Sequence, residues 1–388
     1  MSWPTVPFDS IIADSAFGPR FSGDFYDSGG NVATLRTTDL SLDGRINLET
    51  MPNARLDEER FSDHFLEIGD LVISRSGRIG TTAMFSGYHK PVLPGAFLIR
   101  FRLDAKVADP RYYCYYFNSE EGQQRLHSVA QGAAQQNINI TNVRKIGVPL
   151  PPLEVQRLVS AFVSYYDELI ATNRRRIALL EEAARRLYRE WFVHLRFPGH
   201  EAVKVVDGVP EGWARKTLGH IAPLKYGKAL KATERKDGQV PVYGSSGVVG
   251  SHDRALVDAG AIVVGRKGNV GSLYYSPQPC FPIDTVFFIG PEASTFYLLQ
   301  ALSNLNFINS DAAVPGLNRN YAHSLPLLVP AGEVAAAFET LVAPLYSQAF
   351  LLERHSKELV SARDALLPKL MSGQLDVSGI PLPDLKAA

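Results

Sequence analysis

From Leu158 onward, apolar positions recur every three or four residues: Leu158, Phe162, Tyr165, Leu169, Ile177, Leu180, Ala184, Leu187, Trp191 and Leu195. That spacing predicts a long helix with one apolar seam, interrupted by the polar Asn173. Pro151 and Pro152 suit its start, Glu154 its first turn, and Pro198-Gly199 its end. About 42 residues at 1.5 Å each span roughly 60 Å, too long for one compact unit. A second seam follows at Phe338, Leu341, Leu345, Leu352, Leu359, Ala362, Leu366 and Leu370, with Pro368 expected to kink or end that helix late. Two apolar stripes of similar length most simply bury each other as an antiparallel coiled coil. Asn173 then either fixes their register or is a hydrated interruption.

Ahead of each helix the pattern shortens to β-branched runs. Leu71-Val-Ile and Ile262-Val-Val predict strands that feed glycine-spaced turns. Ala96 to Phe101 and Thr285 to Ile289 predict the next strands, and Tyr112 to Leu126 and Ser294 to Phe307 predict short helices. The two stretches are imperfect copies. Gly69-Asp-Leu-Val-Ile-Ser-Arg75-Ser-Gly77-Arg-Ile-Gly80 is echoed by Gly260-Ala-Ile-Val-Val-Gly-Arg266-Lys-Gly268-Asn-Val-Gly271. Asn137-Ile-Asn139 is echoed by Gly316-Leu-Asn318, and Trp3 to Ile11 more weakly by Trp213 to Ile221. Self-similarity at this scale defines the organisation. The expected fold class is α+β: two mixed α/β domains, 1–150 and 200–330, and two long antiparallel helices, 151–199 and 331–388 with the tail, related by a pseudo-twofold repeat.

Composition adds exclusions. Of 388 residues, 45% are hydrophobic and 21% charged, as in an ordinary soluble globular chain. No apolar run approaches the ~18 residues of a membrane span. The opening MSWPTVPFDS has no basic segment followed by an apolar one, so a signal peptide is not expected. Cys114 and Cys280 are too far apart for a disulfide framework or metal cluster, which fits a reducing, cytoplasmic setting.

Net charge is zero, with 40 basic and 40 acidic residues, which by itself argues against a nucleic-acid partner. Divided by segment, residues 1–150 carry 15 basic and 17 acidic side chains, and residues 200–330 carry 12 and 10. Between Trp213 and Lys236, Arg215, Lys216, Lys225, Lys228, Lys231, Arg235 and Lys236 face one acid, Glu234, with Tyr226 interleaved. Such a run can track phosphates; a solvated loop is the plainer reading. Arg174-Arg175-Arg176 reads as a solvated helix face.

Chemistry is hard to find. Gly265-Arg-Lys-Gly268-Asn-Val-Gly271 is neither GxxxxGK[ST] nor GxGxxG, and HExxH, GxSxG and paired CxxC are absent. Glu234-Arg-Lys236 has the form of a nuclease metal site, but so short a string is common by chance. The residues describe a binding scaffold with two reading heads and no active site.

The order of globular unit, long helix, globular unit, long helix resembles the specificity subunit of type I restriction–modification enzymes. The strings that carry the likeness are Val240-Pro-Val-Tyr243-Gly-Ser-Ser-Gly247-Val-Val-Gly250, Ala261 to Gly271, Pro282-Ile-Asp284-Thr, Pro149-Leu-Pro-Pro-Leu-Glu154-Val-Gln156 and the tail Leu366 to Leu375. It covers essentially the whole chain, although the first unit lacks a P-V-Y-G-S segment. The resemblance implies two target-recognition domains that read the halves of a split, asymmetric DNA site. The helices would be a rigid spacer, long enough to hold the heads more than one B-DNA turn (about 34–36 Å) apart. They would also dock two modification subunits that bind S-adenosylmethionine and methylate adenine. Restriction subunits would add ATP-driven cleavage, and this chain would hold no cofactor and catalyse nothing.

Base reading uses Arg or Lys toward guanine and Asn or Gln toward adenine, on loops held by a stiff scaffold. The candidate DNA-contacting residues are Arg75, Ser76, Arg78, Gln135, Gln136 and Asn137 in the first unit. In the second they are Tyr226, Lys228, Lys231, Tyr243, Ser245, Ser246, Arg266, Lys267, Asn269 and Arg319. Turn formation is the competing role for each. Asn139 and Asn318 recur in both copies and lean structural. Arg75 and Arg266, also shared, suit a phosphate or scaffold role better than base choice. The competing functions are a self-contained DNA-modifying enzyme and a coiled-coil adaptor.

Overall fold

The computed structural model describes residues 3–41, 43–130, 137–308 and 316–375. Packing divides the chain into two units, the described residues of 1–171 with 357–388, and 172–356.

In unit 1 the strands are β1 (Thr5–Pro7), β2 (Ile12–Phe17), β3 (Val32–Leu35), β4 (Asn53–Ala54), β5 (Leu71–Ser74), β6 (Thr82–Met84), β7 (Val92–Pro94), β8 (Leu98–Leu103) and β9 (Gly147–Pro149). The helices are α1 (Glu58–Phe61), α2 (Pro110–Asn118), α3 (Glu120–Ser128), α4 (Ile140–Arg144) and the first half of α5 (Leu153–Tyr188). An antiparallel sheet runs β2-β8-β5-β6. A second sheet, β4-β3-β7, has a parallel β3–β7 pair, and β1 pairs with β9. The β-branched run of β5 is buried on both faces, which is why it reads as continuously apolar.

Unit 2 repeats this plan. Its strands are β10 (Val205–Val206), β11 (Val209–Pro210), β12 (Ala214–Thr217), β13 (Lys225–Tyr226), β14 (Val240–Gly244), β15 (Gly247–His252), β16 (Ala261–Gly265), β17 (Leu273–Ser276), β18 (Phe281–Pro282), β19 (Val286–Ile289) and β20 (Pro326–Val329). Its helices are α6 (Leu218–Ile221), α7 (Phe296–Ser303), α8 (Arg319–Ser324) and most of α9 (Gly332–Met371). The sheets run β13-β19-β16-β17 and β15-β14-β18, the latter with a parallel β14–β18 pair, and β12 pairs with β20. Strand order and polarity match unit 1 in these three sheets; the antiparallel β10–β11 pair has no counterpart among the described strands of unit 1. The Val240–Gly250 segment that the first copy lacks in sequence has its counterpart in β3, which occupies the place of β14. Gly18 and Gly227, just after β2 and β13, are equivalent. A Cβ at either would lie 2.1 Å from a backbone carbonyl, of Gly95 or Ile283.

Several sequence expectations shift. The helix expected over Tyr112–Leu126 is two, broken where extended Ser119 caps α3 through Gly122 N–H. That expected over Ser294–Phe307 is Phe296–Ser303, capped by Thr295 Oγ1. The first long helix does not run to Pro198-Gly199. It loses α geometry after Tyr188, makes one π turn over Arg189–Val193, and turns away at Leu195, whose φ is 58°. The second runs through Pro368 to Met371 and ends at left-handed Gly373, whose N–H bonds Leu370 O.

The long helices bury much of the face that periodicity picks out, with Ala184, Trp191, Phe338, Leu352 and Leu370 in the core, together with positions it passes over. In unit 1, α5 buries Val159, Val163 and Ile170 together with Gln156, Ser160, Ser164 and Asp167, while Tyr165 on the expected seam is exposed. The polar side chains can be buried because they find partners. Gln156 accepts from Asp109 N–H and donates to the Val107 and Pro151 carbonyls, Ser160 donates to Asp109, and Asp167 accepts from Tyr115 and Arg363. Leu370 and Met371 of α9 join Val159 and Val163 in the core around Phe8, Phe101 and Phe117. Arg363 meets Asp167, so the two segments run antiparallel here.

In unit 2, Ala184, Tyr188, Trp191 and Phe192 pack with Phe338, Val342 and Tyr346 of α9, again antiparallel. Phe192 lies edge-on to Tyr297 and Phe338, at 4.7 and 5.0 Å. Leu341, expected on the seam, is 52% exposed. By length and composition α9 contains a window apolar enough to cross a membrane, contrary to the sequence expectation. Its Phe338, Val342 and Tyr346 are instead core residues of unit 2.

Candidate nucleic-acid interface

The repeated arginine turn is built twice on one frame. In unit 1 it links β5 to β6, and in unit 2 it links β16 to β17. Ser74 N–H bonds Thr81 O (2.9 Å) and Gly80 N–H bonds Ser74 O (2.9 Å). In the other copy Gly265 N–H bonds Ser272 O (2.7 Å) and Gly271 N–H bonds Gly265 O (2.9 Å). Thr81 N–H reaches Arg78 O at 3.4 Å, and Ser272 N–H reaches Asn269 O at 3.3 Å. The φ angles of Gly77 and Gly268 are 73° and 76°, and those of Gly80 and Gly271 are 80° and 78°. These left-handed values are why glycine stands there.

The base of each turn is equally matched. Arg75 N–H bonds Phe97 O (2.9 Å) and Arg75 O accepts Ile138 N–H (3.0 Å). Arg266 N–H bonds Thr285 O (3.0 Å) and Arg266 O accepts Leu317 N–H (2.8 Å). The Asn137 and Gly316 strings are therefore laced to the two turns. The arginine side chains lie over the last aromatic of the edge strand of the same sheet, β2 or β13. Arg75 Cζ is 4.6 Å from the Phe17 ring, and Arg266 Cζ is 5.0 Å from the Tyr226 ring and 5.7 Å from that of Phe287. Phe17 pairs with Ile99 and Tyr226 with Phe287, so the aromatics hold the same register.

Unit 2 adds charge. Arg319 Cζ stands 4.9 Å from the same Tyr226 ring, which is 47% exposed. The Nε atoms of Arg319 and Arg75 are buried without a hydrogen-bond partner among the described residues. Two guanidinium groups thus converge on one exposed aromatic, an arrangement suited to an anion beside a stacking surface. Ser245 is brought in by its carbonyl, which accepts from Ser272 Oγ (2.7 Å) and Tyr274 OH (3.3 Å), and its Oγ faces Gly268. Ser246, Lys267 and Asn269 share this rim, Ser246 and Asn269 exposed and Lys267 half-buried.

Other expected residues fall elsewhere. Tyr243 is buried, its ring 6.2 Å from Tyr274, and burial raises its phenol pKa above the usual value. It is a core residue, because β14 turns that face inward. Lys228 is exposed next to Tyr226, but Lys231 stands 3.7 Å from Glu234 within a local turn. The basic run is less free than its sequence suggests. Lys225 is paired with Glu292 (2.6 Å), whose carboxyl pKa is lowered by that hydrogen bond, and Arg235 donates to Val249 O (2.6 Å).

In unit 1, Ser76 and Asn137 are half-buried and Arg78 is exposed, while Gln135 and Gln136 lie outside the described residues. Asn139 and Asn318 cap α4 and α8 through Thr141 N–H (3.1 Å) and Asn320 N–H (2.9 Å), the structural role expected of them. Arg174, Arg175 and Arg176 are all exposed.

Two features escaped the sequence. Phe97, 59% exposed, lies against the Arg75 turn at the position that Thr285 fills in unit 2. As part of Gly-Ala-Phe-Leu-Ile it reads as ordinary strand. A cleft of about 360 Å³ in unit 1 is lined by Arg20, Arg55, Arg60, Phe21, Phe25 and Phe61. Arg20 and Arg55 are 35 positions apart, so no basic run announced it. Among the described residues, no group of three or more His, Cys, Asp or Glu side chains could hold a metal ion.

A sequence profile described as the type I restriction modification DNA specificity domain matches residues 17–182 and 210–331, more than half of the chain. Two specificity subunits of Methanocaldococcus jannaschii are similar. The type I restriction enzyme MjaIX subunit is 21% identical over 69% of each chain. The putative MjaX subunit is 21% identical over 85% of this chain and 86% of its own. The crystal structure of a type I restriction–modification S subunit from M. genitalium shares the fold, with a TM-score of 0.64 at 19% identity, over 95% of this chain and 96% of its own.

Proposed function

Because the chain belongs to the type I restriction–modification specificity family, we propose that it reads a bipartite, asymmetric DNA site and brings no catalytic step of its own. Each unit reads one half-site. The observation that carries this is the doubled arginine turn, held by five matched backbone hydrogen bonds and crowned by different side chains. A reader of two unlike half-sites needs that combination: one rigid frame, used twice, with changeable tips.

In this reading the long helices set the distance between half-sites and dock two modification subunits. Those subunits bind S-adenosylmethionine and methylate adenine, and restriction subunits can join them. Arg266, Arg319, Tyr226 and Lys228 in unit 2 and Arg75 in unit 1 supply phosphate contacts, and the turn tips face base edges. The neutral total charge fits a subunit whose partners contribute part of the basic surface.

The test is methylation mapping of cells that express the chain with its modification subunit. A split motif with a fixed spacer and one modified adenine per strand is expected. A continuous motif, or methylation by the chain alone, refutes the proposal.

A further inference from the structure

The six-residue turn reduces to a single reading position by elimination. In Arg75-Ser-Gly-Arg-Ile-Gly80 and Arg266-Lys-Gly-Asn-Val-Gly271, the first residue is spent on an aromatic ring in both copies. The third and sixth are left-handed glycines in both. The fifth, Ile79 or Val270, packs against the core of its own unit. The second, Ser76 or Lys267, is half-buried, and Lys267 forms a backbone bridge with Gly316.

The fourth position remains. Arg78 and Asn269 are both exposed, and neither side chain has a partner among the described residues. Their carbonyls make equivalent hydrogen bonds to Thr81 and Ser272 N–H, so the backbone presents the two side chains in the same way. The chain thus offers a free guanidinium at one site and a free carboxamide at its counterpart. In the major groove a guanidinium pairs with O6 and N7 of guanine, and a carboxamide pairs with N6 and N7 of adenine.

We propose that Arg78 and Asn269 are paired specificity determinants, with Arg78 selecting a guanine in one half-site and Asn269 an adenine in the other. This rests on the DNA-reading function proposed above and names the position that makes its two halves different.

The experiment uses the whole modification complex in cells, with single-molecule methylation mapping of the genome. Arg78→Asn should weaken the preference for guanine at one position of one half-site by on the order of tenfold or more, leaving the other half-site unchanged. Asn269→Arg should do the same to an adenine in the opposite half. The unaffected half is an internal control for folding and assembly, since one chain carries both. If both variants keep the wild-type preference in both halves, the assignment is overturned. It is also overturned if methylation falls equally at every site with the motif intact, because the side chains then contact only the backbone. If the wild-type complex itself yields no split motif, the function proposed above has failed, an outcome distinct from either of these.

Discussion

Asp167→Ala tests what ties the two long helices together in unit 1. Asp167 lies on α5 with its side chain 10% exposed, and Arg363 lies on α9 with its side chain 19% exposed. The carboxylate accepts from Arg363 Nη1 at 2.6 Å and from Tyr115 OH at 2.7 Å. Burial opposes the charge on Arg363, but its hydrogen bonds to Asp167 and Asp364 more than offset this and raise its pKa. Removing one partner of a buried pair costs about 3–5 kcal/mol, mostly by stranding the other charge. Arg363 keeps exposed Asp364 as a partner (2.8 Å), which reduces the expected loss to about 2–3 kcal/mol.

The assay is urea unfolding of the full chain, in a cycle of Asp167→Ala, Arg363→Met and the double variant. The coupling energy should be about 1.5–3 kcal/mol, as for hydrogen bonds between charged groups. The double variant should recover part of the loss, since it strands no charge. A cost below about 1 kcal/mol with no coupling would refute the reasoning and leave the helices joined by apolar contacts alone.

Four further outcomes are expected. Arg266→Lys keeps the charge but loses the planar face over Tyr226, so duplex affinity of the complex should fall several-fold with little change in melting temperature; unchanged affinity in a binding titration would count against stacking. Gly227→Ala places a Cβ against the Ile283 carbonyl and should destabilise unit 2 by about 1–3 kcal/mol or more, measured by thermal melting. His323 accepts Leu224 N–H at Nε2 (2.9 Å), and its pKa is lowered from 6.5 by burial and then by Arg319. Its contribution to stability is therefore complete above pH 6.5 and is lost as pH falls through the lower folded value; His323→Ala should flatten that limb of the urea-stability profile. Finally, the affinity of the assembled complex for duplex should fall steeply and linearly on a log–log plot against salt; a flat plot would favour an adaptor that does not touch DNA.

Much of the architecture was legible because it rests on local rules. The β-branched runs at Leu71 and Ile262 are strands, the glycines at 77, 80, 268 and 271 are turns, and Asn139 and Asn318 are caps. Each is dictated by the backbone needs of a few neighbouring residues. The candidate interface was legible only in part. Periodicity counts apolar side chains, so it could not find a helix face that buries Gln156, Ser160, Ser164 and Asp167. Nor could it see that Lys225 is neutralised by Glu292, which lies 67 positions away.

The sequence by itself determined that one plan is used twice, because repeated glycines and arginines impose the same turn wherever they occur. Tertiary structure decided which of the repeated side chains are free to act. It buried Tyr243, placed Arg266 and Arg319 about one aromatic ring, and left Arg78 and Asn269 exposed at equivalent points. The reason is physical: a turn is set by φ and by hydrogen bonds over a few residues, whereas exposure and partnership are set by chain that arrives from far away.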